Sequence, residues 1–428
     1  MADKLFNKNF NIIFTGQFIS ALGSSIYAVT IMLLLKKITG SGTIMGVVQM
    51  VAFLPAVFFG PFSGTLVDLL DRKKIIVRTD IVCGLSMILL SLAGFPFIQR
   101  LPPLHLAGLN LNFALLDIKV WMVIVITIVI GTAYSMFRPA VDASIPDIVP
   151  AESFKKASSL LQSSGYFTLI IGSSLGGVLF PRVGPPLLIF LNGLSYLLAA
   201  LAETFLSIPP IKRDENAPKG LGAYWHKTKE GLIYLWNFKG LRVMILTFMC
   251  SNALFPPIIL SLPFFLEDIL GLPANYYGYM MATYMIGGIV GFISYGAMKV
   301  SKQTNYRVFV ATFFLAASLV FLAALSHSPL AVFILFGLVS VNVAIITLIA
   351  QTVIPKVVPA EKRGRVYGTI AATTAAIMPI SFGVSGIVID LIHRQVRIMF
   401  IGVALICFII ALIIAVNKPL RHLVLNEG

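Results

Sequence analysis

IMFIGVALICFIIALIIAV, residues 398–416, runs for 19 positions without a charge, an amide or a hydroxyl. As an α-helix rising 1.5 Å per residue, such a run crosses nearly the ~30 Å of hydrocarbon in a bilayer. Its apolarity is continuous, whereas a membrane β-strand would alternate, so it reads as a transmembrane helix. Working outward from charge to charge, equivalent spans fall at about 9–35, 43–66, 75–97, 119–137, 157–181, 185–207, 242–266, 275–298, 307–326, 329–354, 366–390 and 396–416. The composition agrees: of 428 residues 58% are hydrophobic and 11% charged, with a mean hydropathy of +0.94. So few polar side chains cannot cover a water-soluble globule of this size. The expected fold class is an all-α polytopic membrane protein with twelve transmembrane helices.

The loops orient these spans. With the N-terminus cytoplasmic, 25 of the 32 lysines and arginines lie on the inner side. The outer ones are Lys36, Lys37, Arg100, Lys119, Arg182, Arg394 and Arg397. That bias is expected to hold both termini in the cytoplasm. The net charge of +15 would point a soluble chain toward nucleic acid, but here it is spread over inner loops that face anionic lipid. No nucleic-acid partner is expected. The first apolar run follows Lys4 and Lys8, is too long for a cleaved leader, contains Gln17 and shows no small-residue cleavage site before Lys36. It is expected to remain as a span. Cys83, Cys250 and Cys407 all fall inside spans and read as small core residues, with neither a disulfide nor a metal site expected.

The longest inner loop, 208–241, divides the chain six spans against six. It holds Pro209, Pro210, the run Lys212, Arg213, Asp214, Glu215, and then Pro218 and Gly220. Beyond Gly222, the residues Tyr224, Thr228, Leu232 and Leu235 recur at helical spacing beside Trp225 and Trp236, which reads as an amphipathic helix on the inner leaflet. A solvated linker is the other reading. The halves also repeat. Ile145 to Glu152, after span 4, and Ile354 to Glu361, after span 10, are identical at six of eight positions with a constant offset of 209. A duplicated six-helix unit follows, giving expected parts at 1–207, 208–241 and 242–428. Two such halves around a substrate site near the midplane are the architecture of a rocking secondary transporter.

The end of span 2 reads Gly64, Thr65, Leu66, Val67, Asp68, Leu69, Leu70, Asp71, Arg72, Lys73, Lys74. Gly64 permits close approach of another helix, Asp68 can pair with a base or a helix N-terminus, and the three bases anchor the turn at the inner surface. This stretch resembles the loop signature of the major facilitator superfamily, with Leu69 where an arginine is usual. A closer resemblance runs through Gln17, Phe53 to Pro55, Gly60, Pro61, Asp71 to Lys74, Arg138 to Ala140, Ile145 to Glu152 and Gly364 to Val366. It covers nearly the whole chain and is similar to the macrolide-efflux and enterobactin-exporter branch of drug:proton antiporters. The resemblance implies a fold of two pseudo-symmetric six-helix bundles and export driven by proton entry. It also implies a conformational latch at Gly64, Asp68, Arg72 and Arg138. Gly172, Gly176 and Gly177 in span 5 partly match the superfamily's antiporter motif; tight packing is the plainer reading.

An unpaired amide or hydroxyl in hydrocarbon costs a few kcal/mol, so polar stripes inside spans mark candidate cavity walls. Gln17, Ser20, Ser24 and Tyr27 share a face of span 1; Thr127, Tyr134 and Arg138 share one of span 4; Ser340, Thr347 and Gln351 share one of span 10. Asn252 precedes Phe255, Pro256 and Pro257 in span 7, and Asn342 lies in span 10. The expected substrate contacts are Gln17, Ser24, Tyr27, Tyr134, Asn252, Phe255, Asn342 and Thr347. Hydroxyls in this set can equally bond their own helix. A proton-coupled exporter needs a carboxyl that loads and releases near neutral pH. Glu203, near the inner end of span 6, is the candidate; Asp80 sits in the first turns of span 3, and Asp142 beside Arg138 reads as a structural pair. A carboxylate snorkelling to the inner surface is the competing reading of Glu203.

The expected function is therefore secondary active export of amphipathic or hydrophobic compounds, of drug or macrolide type, by alternating access in a bacterial inner membrane. A dedicated lysophospholipid-type flippase or a siderophore exporter is the alternative. The five histidines are scattered and no nucleophile elbow or Walker-spaced loop occurs, so neither catalysis nor ATP hydrolysis is expected. No cofactor and no metal are expected; the partners are an amphipathic solute, protons and membrane lipid, and the expected working unit is a monomer. The long outer loop at 98–118, with Pro102, Pro103 and the alternating Leu109 to Phe113, reads as a lip over the cavity or an interfacial segment.

Overall fold

The polar backbone of an apolar run can satisfy itself only as a helix when lipid replaces water. The structure is a computed structural model that describes residues 5–92, 118–209, 233, 236–298, 300–358 and 360–425. The expected outer loop and interfacial helix fall almost wholly outside the described residues. Six long helices form the first half: α1 (Lys8–Thr39), α2 (Gly42–Leu69), α3 (Arg72–Leu92), α4 (Ile118–Ile148), α5 (Phe154–Val183) and α6 (Pro185–Glu203). The second half continues with α7 (Lys239–Ala253), α8 (Phe255–Phe264), α9 (Asn275–Gly296), α10 (Lys302–Leu325), α11 (Pro329–Val357), α12 (Ala360–Leu391), α13 (Val396–Val416) and the short α14 (Lys418–Leu425). Because α7, α8 and a following π turn at Phe265–Ile269 continue one another, twelve membrane-length segments result among the described residues. Ten of them are long and apolar enough to cross a bilayer by length and composition alone, and Ala376–Leu391 is a shorter apolar helix. The chain is thus an all-helical, multi-pass membrane protein, and α14 is an element the apolar runs did not announce.

By internal packing the chain separates into two units, Met1–Leu221 with Ala274–Tyr279, and Gly222–Pro273 with Met280–Gly428. In the first, neighbours run in the order α2, α4, α3, α6, α1, α5. Small residues set the crossings. A Cβ on Gly131 of α4 would lie 2.9 Å from the Ala52 carbonyl of α2, and one on Gly176 of α5 would lie 3.0 Å from the Ile26 carbonyl of α1. Such distances exclude side chains, so the helix backbones touch.

The inner end of this unit is tied by polar groups. Asn7 accepts the Phe10 amide at the start of α1 and donates to the Ile148 carbonyl at the end of α4, at 2.6 Å. Asn9 exchanges two bonds with the Ser207 backbone just past α6, at 2.9 and 3.0 Å. Arg72, the first residue of α3, donates to the Ala143 carbonyl at 2.7 Å and pairs with Asp147, both on α4. Beneath these bonds Phe10, Ile13, Ile76, Phe137, Ala140 and Ile145 form a fully buried core. Arg72→Met removes the charge-assisted bonds at the edge of this core. A loss of about 1.5–3 kcal/mol is expected, read as a lower denaturation midpoint in detergent, with Asp147→Asn losing less because Asp147 is partly exposed. An unchanged midpoint in Arg72→Met would remove the clamp.

In the second unit the core gathers Leu241, Phe309, Phe313, Val353, Ala411 and Ile414, and α14 adds Leu420, Leu423 and Val424. Gly240 makes room for α14: a Cβ there would lie 2.7 Å from the Pro419 carbonyl. Pro257 has no N–H, so it cannot donate to the Ala253 carbonyl four residues earlier. That carbonyl instead accepts the Ser381 hydroxyl of α12 at 2.6 Å. The break between α7 and α8 is therefore bridged by a neighbouring helix.

Candidate functional site

The polar stripes of the first and fourth spans turn toward one space. A cavity of about 450 Å3 opens inside the first unit. α1 supplies Gln17, Ser24 and Tyr27, α4 supplies Thr127, Tyr134 and Arg138, α5 supplies Ser164, Gly165 and Thr168, and α6 sends in Tyr196. Residues 17, 20, 24 and 27 fall on one face because three- and four-residue steps stay close to the 3.6-residue turn. Met87, Ile130, Phe137, Leu161 and Leu169 fill the spaces between the polar groups. A wall of this kind suits a largely apolar solute held by a few polar contacts.

The polar groups have defined settings. The Ser24 hydroxyl lies 2.8 Å from the Tyr196 hydroxyl and also bonds the Ser20 carbonyl at 2.7 Å. Tyr27 of α1 and Thr127 of α4 both line the cavity, and Thr127 Oγ1 is buried without a hydrogen-bond partner among the described residues. Tyr134 stacks on Phe137, with ring centroids 6.0 Å apart. Arg138 Nε donates to Asp142 Oδ2 at 3.1 Å, one helical turn along, so the cationic rim of the cavity is charge-balanced. Gln17 Nε2 is buried without a hydrogen-bond partner among the described residues. The residue itself is part of the cavity lining.

The other expected contacts lie in the second unit. Asn252 donates to the Phe248 carbonyl, Asn342 to Leu338 and Thr347 to Val343, each bonding its own helix at 2.8 Å. Phe255 packs on Tyr284, centroids 5.9 Å apart. Of the latch residues, Arg72 and Arg138 bond within the first unit as above, while the side chains of Gly64 and Asp68 lie outside the described residues.

Two acids lie on the wall helices α3 and α6 without lining the cavity. Glu203 is fully buried and Asp80 is 2% exposed, so neither reaches the surface. α3 and α6 approach closely through Gly84 and Gly193: a Cβ on Gly84 would lie 2.7 Å from Leu197, and one on Gly193 would lie 2.9 Å from the Gly84 carbonyl. This crossing brings Asp80 and Glu203 within electrostatic reach of each other. Glu203 also faces α1, where a Cβ on Gly16 would sit 3.6 Å from its Oε1. Neither Glu203 oxygen, nor Asp80 Oδ2, has a hydrogen-bond partner among the described residues. Sequence reasoning named both Glu203 and Asp80 but not that they are neighbours. It also missed Tyr196, whose signal was the stripe Asn192, Ser195, Tyr196 on an otherwise apolar helix.

Comparison with known proteins adds a family and a fold. The family profile described as Major Facilitator Superfamily matches residues 13–378 and again 258–425. Macrolide efflux protein A of Streptococcus pyogenes is 24% identical over 424 residues, 97% of each chain. The multidrug efflux pump Tap of Mycobacterium bovis is 22% identical over 92% of this chain and 90% of its own. Among solved structures, the nucleoside transporter NupG superposes with a TM-score of 0.71 at 11% identity, over 95% of this chain and 100% of that one. A bacterial homologue of the iron transporter ferroportin gives 0.70 at 16% identity, over 95% and 98%. These structures share the architecture.

Proposed function

The chain belongs to the Major Facilitator Superfamily, and on that footing we propose that it exports amphipathic compounds in exchange for protons. It is a multi-pass membrane transporter, and relatives named for macrolide and multidrug efflux support export. The observation that carries the reading is the cavity of about 450 Å3, with phenols, hydroxyls, one amide and a charge-balanced guanidinium among apolar side chains. Few fixed polar contacts let related bulky solutes rebind in different poses. Arg138 and Asp142 offset each other, which favours neutral and weakly charged solutes over strongly charged ones. The proposed setting is a bacterial cell membrane with both termini cytoplasmic, the chain working as a monomer.

The test uses purified full-length protein in liposomes with a proton gradient imposed in either direction. Erythromycin and a lipophilic dye are expected to move against the proton flow, severalfold faster than in protein-free liposomes, and to reverse when the gradient reverses. Lysophosphatidylcholine movement without macrolide or dye movement would replace this reading with lipid translocation. Flux of every probe at the protein-free level would end it.

A further inference from the structure

Three buried carboxyl oxygens without hydrogen-bond partners among the described residues lie on two adjoining helices, α3 and α6, which supply Met87 and Tyr196 to the cavity wall while the acids themselves are not part of it. We propose that Asp80 and Glu203 together hold the proton that drives export, in a site separate from the solute cavity. This rests on the reading of proton-driven export above. Ionising both carboxyls would place two like charges within electrostatic reach of each other and away from water, with no hydrogen-bond donor on either Glu203 oxygen or on Asp80 Oδ2 among the described residues. One proton held on either carboxyl removes that repulsion, and the two acids titrate as a coupled pair. The oxygens that accept the proton lie on Glu203 or Asp80, and the proton leaves to water on the inner side; no other reactant is consumed.

The surroundings fit a site that senses the cavity. Asp80 is within electrostatic reach of Cys83 on its own helix, of Tyr134 on α4 and of Tyr196 on α6. Both tyrosines also line the cavity, and Tyr196 meets the Ser24 hydroxyl there. Arg138 and Asp142, at the cavity rim, act on Tyr134 as well. From α1 the residue facing Glu203 is Gly16, and the next along, Gln17, carries the unpartnered amide. A solute that moves Tyr134 or Gln17 therefore changes the setting of the acids without touching them. Loading of the cavity and loading of the pair become linked binding events, and linkage is reciprocal.

Two measurements on full-length protein test this. In liposomes, one-for-one exchange lets wild type accumulate solute up to about tenfold per pH unit of gradient. Glu203→Gln and Asp80→Asn should each bring that accumulation ratio to one, read with erythromycin against downhill flux in the same vesicles. Accumulation at the wild-type ratio in both variants overturns the proposal. Infrared difference spectroscopy reads the proton without transport. A protonated-carboxyl C=O band should be present in wild type near neutral pH and be altered by either substitution. Its absence in wild type, or its persistence unchanged in both variants, overturns the site. Wild-type transport indifferent to the pH gradient would instead end proton-driven export, and the infrared band separates that failure from failure of the pair.

Discussion

Gly165→Trp is expected to stop transport while the protein still folds. Gly165 lines the cavity, and a Cβ built there meets nothing within 4 Å, so the indole enters open space rather than a packed interface. It takes room that a solute needs between α1, α4 and α5. A rate loss of roughly tenfold or more is expected, a barrier increase of at least about 1.4 kcal/mol. Gly165→Ala should be silent, because one methyl leaves the cavity open. The measurements are flux in liposomes and the denaturation midpoint in detergent. Wild-type flux in Gly165→Trp would mean that solute does not use this cavity.

Seven residues along the same face of α5, the opposite result is expected. Gly172→Leu should leave little folded protein. A Cβ at Gly172 would collide with Ser25 Cβ and lie 3.0 Å from the Leu22 carbonyl, both on α1. Overpacking a well-filled contact costs typically 1–3 kcal/mol, and here backbone rather than a flexible side chain blocks relief, so the loss should reach about 3 kcal/mol. Ser25→Gly in the same chain should restore only part, because the Leu22 carbonyl remains. The readout is the yield of monodisperse protein and its denaturation midpoint. A stable Gly172→Leu protein would show that α1 and α5 do not cross so closely. Together the two glycines describe a pair of helices in contact at one end and parted at the other, and the cavity occupies the gap.

Much of this architecture was legible in the sequence because its cause is local. A run such as 398–416 has no structure but a helix that satisfies its backbone in lipid, and it is α13. The C-terminal helix α14 was not legible: eight residues with three charged or titratable side chains among three leucines give no span signal, while Asn417 caps its first turn by accepting the Leu420 amide and the Gly240 notch on α7 gives it a seat. Within the site, the stripes holding Gln17, Tyr27, Tyr134 and Arg138 carried real information, since polar residues at helical spacing converge when two helices share a space. The same spacing in the second half is equally compatible with side chains that bond back to their own carbonyls, as Asn252, Asn342 and Thr347 do. Periodicity does not separate the two. The pairing of Asp80 with Glu203 depends on how α3 and α6 cross at Gly84 and Gly193, a relation between segments more than a hundred residues apart.

The hydroxyl of Ser381 that caps the orphaned Ala253 carbonyl has a mechanical consequence. With two successive prolines removing amide donors at that point, the seventh span bends there at small cost in its own ladder. The Ser381 bond ties that joint to the eleventh span at one point, and with a net worth of about 0.5–1.5 kcal/mol it steadies the joint without locking the two helices together.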